Sequence, residues 1–199
     1  MRKLTILLAL FLSAIMVNAQ DRKSVPASVE KIEGMPVFIF SLPTAEYEVV
    51  GKALKVGNII KIALNMDATV RDKAVEMVQD AMQRNQDGKV SDFDAIIFDL
   101  DKDKVLAIKF GEKGEHISAE PIRYKGVPVY LFSNPVSEYD VIADLEADYS
   151  LHAQRGVLLD KIESMINRTI KKEESGEVGQ FDAVVINPDD LSEKLIKFK

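Results

Sequence analysis

Apolar positions early in the chain follow two different spacings, which predict two strands separated by a turn. Residues 37–40 form a continuous apolar run rich in β-branched and aromatic side chains, typical of a buried strand. A turn is expected over residues 41–44, because the ring of Pro43 fixes φ and proline has no N–H to donate. Residues 47–56 alternate and then shift register near Gly51, which predicts a second strand with a bulge.

A helix and two more strands follow in the same half. Apolar side chains in residues 67–84 recur every three or four positions, as on one face of an amphipathic helix. Residues 93–98 include a run that is apolar on both faces and predicts a central strand, and residues 105–110 alternate as a fourth strand. The predicted unit is strand–strand–helix–strand–strand.

The second half of the chain repeats this unit. Between residues 34–50 and residues 126–142, 9 of 17 positions are identical at an offset of 92. Later blocks match at an offset of 88, as in residues 93–95 and 181–183, which both read Phe-Asp-Ala. The second copy therefore predicts the same elements in residues 129–132, 139–145, 158–171, 181–186 and 194–198.

These elements predict an α+β fold made of two tandem ββαββ repeats, residues 34–110 and 126–199. Each repeat would place one helix on a small, mainly antiparallel sheet. A unit of about 75 residues buries little core by itself, so we expect the repeats to pack as a pseudo-twofold dimer. Residues 20–33 are expected to be a polar N-terminal lead-in, and residues 111–125, with two glycines and several charges, a linker.

The first nineteen residues have the layout of a secretory signal peptide. Arg2 and Lys3 precede a 14-residue, almost wholly apolar run, and small residues precede a cut after Ala19. The run is too short for a transmembrane helix, which needs about 20 apolar residues. We therefore expect a soluble mature protein in the periplasm or outside the cell, with no membrane span.

Composition excludes several kinds of chemistry. The net charge of −6 argues against a nucleic-acid partner, because proteins that bind nucleic acids normally have a strongly basic face. With no cysteine and only two histidines, the chain cannot form thiolate metal sites, cysteine nucleophiles or a three-histidine metal site. No catalytic triad order, nucleophile elbow, phosphate-binding glycine loop or zinc-protease motif is present, so an enzyme is the less favoured hypothesis.

Two short motifs resemble the YbjQ-type small α/β domains. Tyr-Glu-Val-Val-Gly at residues 47–51 and Phe-Asp-Ala-Ile-Ile at residues 93–97 flank the predicted helix as in that family. The resemblance implies a similar fold and, from the label that this family carries, heavy-metal binding. The sequence departs from the family at residues 92–94 and at Ala143, where glycine is usual. The chain is also similar to duplicated, secreted Bacteroidetes proteins of unknown function.

Two acidic segments are candidate cation sites, because calcium prefers several oxygen ligands at alternate positions of a loop. The first follows the predicted helix, where Gln83 stands in place of the usual first acid and a strand follows instead of a helix. A polar turn is the alternative for both segments. The candidate ligands are Asn85, Asp87 and Asp94 in the first segment and Asp99, Asp101 and Asp103 in the second.

The polar positions that match best between the copies lie in a shared Ser-x-Pro-x-x-Glu-Tyr motif. Two such loops could form a ligand or partner surface across the pseudo-dimer. The alternative is that serine and proline make a turn, tyrosine packs and glutamate is exposed. The residues concerned are Ser41, Glu46 and Tyr47 in the first copy and Ser133, Glu138 and Tyr139 in the second.

Three functional hypotheses remain open at this point. The first is a secreted, soluble binding or interaction module without catalytic activity or cofactor, whose partner is an unknown protein or small ligand. The second is a periplasmic protein that binds a divalent metal, Ca²⁺ or a heavy metal. The third, weaker hypothesis is a hydrolase built on carboxylates. The sequence also leaves homo-oligomer formation open.

Overall fold

The computed structural model describes residues 22–55, 70–99, 104–111, 118–146 and 158–199. The predicted signal peptide, the first residues of the predicted first helix, and Asp101 and Asp103 lie outside these ranges. Within them the fold is α+β, with two helices and mainly antiparallel sheets. Both helices have 17 residues.

The elements of the first half run from β1 to β7. They are β1 (Ala27–Val29), β2 (Lys31–Ile32), β3 (Met35–Ile39), β4 (Ser41–Pro43), β5 (Tyr47–Lys55), α1 (Val70–Gln86), β6 (Ala95–Asp99) and β7 (Lys104–Phe110). Those of the second half are β8 (Ser118–Tyr124), β9 (Val127–Leu131), β10 (Ser133–Pro135), β11 (Tyr139–Leu145), α2 (Leu158–Glu174), β12 (Ala183–Ile186) and β13 (Glu193–Phe198).

Two sheets organise these strands. The first has the order β2-β3-β6-β7-β5, and only its β3–β6 pair is parallel. The second has the order β10-β1-β8-β9-β12-β13-β11, with β4 also paired to β8, and only its β9–β12 pair is parallel. Strand β1 of the first half therefore lies inside the second sheet.

Side chains alternate across the strands and so build two cores. One core faces the helices: Val37 and Ile39 of β3 belong to it, together with Val78 of α1 and Ile166 of α2. The intervening Phe38 points to the other side and belongs to the second core, which among the described residues contains none from either helix. Residues of both sheets occur in each core, so both cores join the two halves.

Several local predictions are confirmed. The helix expected over residues 158–171 is α2, and the described part of the other predicted helix is α1. The register of β5 against β7 shifts between Val49 and Gly51, where the bulge was expected. A Cβ atom at Gly51 would lie 2.6 Å from Val90 Cγ1, so glycine allows the close approach of the loop after α1.

The turn predicted over residues 41–44 is wrong, because Ser41–Pro43 forms strand β4. The chain changes direction one residue earlier, at Phe40, whose φ of 56° lies in the left-handed region. Phe132 does the same with a φ of 54° before β10. These bends send β4 and β10 away from the strands that precede them and toward partners in the other half.

Segments expected to lack regular structure also form strands. Residues 27–29 and 31–32, inside the expected lead-in, are β1 and β2, and residues 118–124, inside the expected linker, are β8. Ala119 and Pro121 are buried while Glu120 is exposed, so β8 has the two-residue period of a half-buried strand. Its many polar residues hide this period from a search for apolar runs.

Candidate functional site

The six residues of the shared motif do not form one site. Ser41 and Ser133 are buried, whereas Glu46 and Glu138 are exposed. Tyr139 is half-buried against the second core, and Tyr47 is 39% exposed. The two serines share a further property: each Oγ atom is buried and has no hydrogen-bond partner. Burial of such a hydroxyl is unfavourable unless something else satisfies it.

A cavity of about 240 Å³ lies beside Ser133, where β9 and β12 end. Their carboxyl ends meet because these two strands are parallel neighbours, with Leu131 opposite Ile186. The crevice outside the carboxyl ends of parallel strands is a common place for ligands in α/β sheets. Polar residues of both halves line it: Glu30 and Arg71 from the first, and Ser133, Asn134, Asn187, Ser192 and Lys194 from the second.

Arg71, in the first turn of α1, connects three elements at the cavity. Its Nη1 and Nη2 atoms donate to the two carboxylate oxygens of Glu30, and its Nε donates to Asp189 Oδ1 over 2.7 Å. The guanidinium also lies 5.5 Å from the centre of the Phe132 ring. The hydrogen bond to Glu30 is the main cause that raises the pKa of Arg71 above its usual value. This side chain is held in place as a charged group.

The turn between β12 and β13 forms a fixed wall of the cavity. Asn187 Oδ1 accepts a hydrogen bond from the backbone N–H of Asp189, and Asp190 Oδ1 accepts one from that of Ser192, at 3.0 and 2.8 Å. The backbone N–H of Asn187 donates to the carbonyl of Ser192 across the base of the turn, over 3.0 Å. Side chains that bond their own backbone in this way make tight, ordered turns.

The cavity lining differs in charge from the chain as a whole. The chain carries a net charge of −6, whereas two cations, Arg71 and Lys194, and two carboxylates, Glu30 and the Asp189 bound to Arg71, balance one another at the cavity. Arg71 is already paired with Glu30 and Asp189. The side chain of Lys194 is exposed and forms no ion pair or hydrogen bond with the described part of the chain, and Asp144 lies opposite it in the β11–β13 pair. Lys194 is therefore the lining cation that a ligand can approach.

The first candidate calcium segment is occupied by hydrogen bonds within the protein. Asn85 Nδ2 donates to the Val90 carbonyl over 3.1 Å. Asp87 accepts from Lys89 Nζ over 2.8 Å, and this contact is the main cause that lowers the pKa of Asp87. Asp94 Oδ2 instead accepts from the backbone N–H of Phe110 over 3.0 Å. The three predicted ligands thus each have another, local role.

In the second candidate cation segment, Asp99 is the last residue of β6 and pairs with Lys104 across the β6–β7 ladder. Asp101 and Asp103 lie outside the described residues, so the prediction for them stays a prediction. Among the residues that the structure describes, no three His, Cys, Asp or Glu side chains are grouped as a metal site would require.

Sequence reasoning identified Ser133 but missed the charged residues around the cavity. Glu30, Arg71 and Lys194 lie on three separate elements and meet only in the folded chain. One signal was available: at the offsets of 92 and 88, their counterparts in the other copy are Ile122, Leu159 and Leu106. At each of these three positions a charged residue corresponds in the sequence to an aliphatic one.

Comparison with known proteins gives no relative: no family model, curated protein or solved structure matches this chain. In the described part of the chain, neither helix has the length and apolar character needed to cross a membrane.

Proposed function

We propose that the mature protein is a secreted, non-enzymatic binding module that takes a small ligand in the cavity beside Ser133. The observation that carries the proposal is the cavity itself, in which an unpartnered buried hydroxyl, a fixed arginine and a lysine without a protein partner come together. The predicted signal peptide supports the location, the periplasm or the outside of the cell. The proposed function is binding alone and requires no catalytic residue.

We further propose that the two halves are copies related by an approximate twofold axis. Supporting this, strands β2-β3-β6-β7-β5 and strands β8-β9-β12-β13-β11 follow one another in the same order within their sheets. The exchanged strands also match: Ser41 pairs with Pro121, and Ser133 pairs with Val29, which are equivalent contacts at the offset of 92. The same holds for Phe38 with Phe110 and Tyr130 with Phe198, whose ring centres are both 6.4 Å apart.

This arrangement explains why a binding module would need both copies. The cavity takes Glu30 and Arg71 from one half and Ser133, Asn187 and Lys194 from the other. The exchange of β1 into the second sheet brings Glu30 to this place, where its N–H donates to the Phe132 carbonyl over 3.0 Å. Neither half alone supplies the full set of side chains.

The test is a thermal unfolding screen of residues 20–199 against a library of small polar metabolites. A ligand at 100 times its dissociation constant stabilises by about 2.7 kcal/mol, which for a chain of this size raises Tm by roughly 5–10 °C. Each hit is measured again with Ser192→Trp, which fills the mouth of the cavity. Lys104→Trp is the matched control, since Lys104 occupies the equivalent position 88 residues earlier.

The proposal expects hits that stabilise the wild-type protein and Lys104→Trp but not Ser192→Trp. Circular dichroism of both variants checks that each is folded. Hits that stabilise all three proteins equally would place the ligand elsewhere, and a screen with no hit would contradict a small-ligand module altogether.

A further inference from the structure

We infer that the ligand of this cavity is a small organic monocarboxylate with an apolar stem; this rests on the proposed function. The inference concerns the chemical class of the ligand and follows from three features of the lining. These are a lysine without an ion pair in the described residues, the supply of hydrogen-bond donors and the distribution of apolar side chains.

The charged side chains at the cavity indicate the charge of the ligand. Arg71 is held by two carboxylates, those of Glu30 and Asp189, so its positive charge is offset within the protein. Lys194 has no such partner in the described residues, and an anion is the ligand that its ammonium group favours. The ion pairs of Arg71 leave the exposed Lys194 as the lining cation that can pair with one negative charge on a ligand.

Donors around the cavity suit a carboxylate, which accepts hydrogen bonds and donates none. Ser133 and Ser192 supply hydroxyls, and Asn187 supplies an amide. The Oγ atom of Ser133 is covered and has no partner, so binding would add a hydrogen bond that the protein itself does not make. Serine has one χ1 torsion, and a change of rotamer is the movement that would bring this hydroxyl to the ligand.

Apolar side chains form the rest of the lining. Phe132, Val185, Ile186 and Pro188 adjoin the polar groups, so a ligand with only polar atoms would leave part of the wall without apolar contact. Ligand sites usually combine such an apolar wall with a few placed polar groups. An acid with a short hydrocarbon or ring stem satisfies both parts, and a volume of about 240 Å³ favours a small molecule over a chain segment.

The experiment compares acids with their amides, which keep the shape and remove the charge. Benzoate and hexanoate are titrated against benzamide and hexanamide by calorimetry, with inorganic phosphate as a third kind of probe. The proteins are wild type, Lys194→Met and Ser133→Ala. Lys197→Met on the same strand and Ser41→Ala at the equivalent buried serine are the matched controls.

The inference expects at least one acid to bind more tightly than its amide by about tenfold, as for one charge-assisted hydrogen bond. Lys194→Met should remove this preference and Lys197→Met should keep it. Ser133→Ala should weaken binding of the acid, and Ser41→Ala should leave it unchanged.

Equal binding of acid and amide, tighter binding of phosphate, or equal losses in Lys194→Met and Lys197→Met would overturn the carboxylate assignment. If no probe binds while the metabolite screen yields a ligand blocked by Ser192→Trp, the ligand class is wrong and the binding module stands. If that screen also yields no such ligand, the proposed function itself fails.

Discussion

Ala27 lies directly opposite Ala119 in the antiparallel pair of β1 and β8, and both side chains are fully buried. The two residues are 92 positions apart, which is also the offset between the repeated motifs. Under the proposed duplication Ala119 is the counterpart of Ala27, and a residue that pairs with its own counterpart lies on the twofold axis. Both methyl groups belong to the second core.

Enlarging either alanine should therefore destabilise the protein. We expect Ala27→Leu and Ala119→Leu each to lower the free energy of unfolding by about 1–3 kcal/mol, because added volume in a packed core forces neighbours to move. Urea unfolding measures the change. Ser28→Val, at an exposed position of the same strand, should change stability by less than about 0.5 kcal/mol. Equal effects at residues 27 and 28 would refute tight packing at the alanine pair.

The buried serines give a second prediction, in the opposite direction. Ser41→Ala and Ser133→Ala each remove a buried hydroxyl without a partner. Both variants should keep the wild-type stability or gain up to about 1 kcal/mol, because an unsatisfied polar group is lost and no hydrogen bond is broken. Thermal and urea unfolding without added ligand test this. A clear loss of stability in either variant would mean that its hydroxyl is bonded in solution.

A polar network inside the second half gives the third prediction. Glu193 is fully buried and accepts hydrogen bonds from Arg168 Nη2 over 2.7 Å and from Thr169 Oγ1 over 2.8 Å. Thr169→Val should cost about 1–3 kcal/mol, because it removes a donor from a buried carboxylate. The first half has Ala81 and Val105, both buried, at the equivalent positions.

The double variant Thr169→Val with Glu193→Val should accordingly be less destabilised than the sum of the two single variants, by at least about 0.5 kcal/mol. Urea unfolding of the four proteins completes the cycle. Strict additivity would show that the threonine and the glutamate stabilise the protein independently.

How much of this molecule is predictable from its sequence depends on the range of the interactions. The helix over residues 158–171 and the bulge near Gly51 follow from local patterns of side chains, and both are confirmed. Strand β1 has only three residues and β8 is largely polar, and each is stabilised by partners in the other half, which no local pattern records. The same distinction applies to the cavity. Ser133 belongs to a repeated motif that the sequence reveals, whereas Arg71 lines the cavity only because the tertiary structure brings it there.

A variant of Asp94 distinguishes calcium binding by this residue from a purely structural role. Its Oδ2 accepts the Phe110 N–H, and Asp182 makes the equivalent bond to the Phe198 N–H over 2.9 Å. Asp94→Ala should therefore cost about 1–2 kcal/mol, and Asp182→Ala a similar amount. The loss at Asp94 should be the same in calcium as in chelator, measured by thermal unfolding. A stabilisation by calcium that disappears only in Asp94→Ala would instead establish the loop as a metal site.

The last prediction concerns Lys161, a lysine of α2 that is 3% exposed and whose Nζ has no hydrogen-bond partner. Burial lowers the pKa of this amine below its ordinary value of 10.5. Its charged form is therefore disfavoured in the folded protein, and the unfolded chain binds the proton more tightly. The resulting penalty is present below the folded pKa and is relieved as the pH rises toward 10.5.

Lys161→Met should raise the free energy of unfolding at neutral pH and remove this gain on going to alkaline pH. Lys171→Met, at an exposed position of the same helix, should leave the pH dependence as in the wild type. Urea unfolding at about pH 7 and about pH 10 tests both variants, since this interval covers the range over which a lowered lysine pKa acts. If Lys161→Met and the wild type gain equally with pH, the amine is solvated in solution.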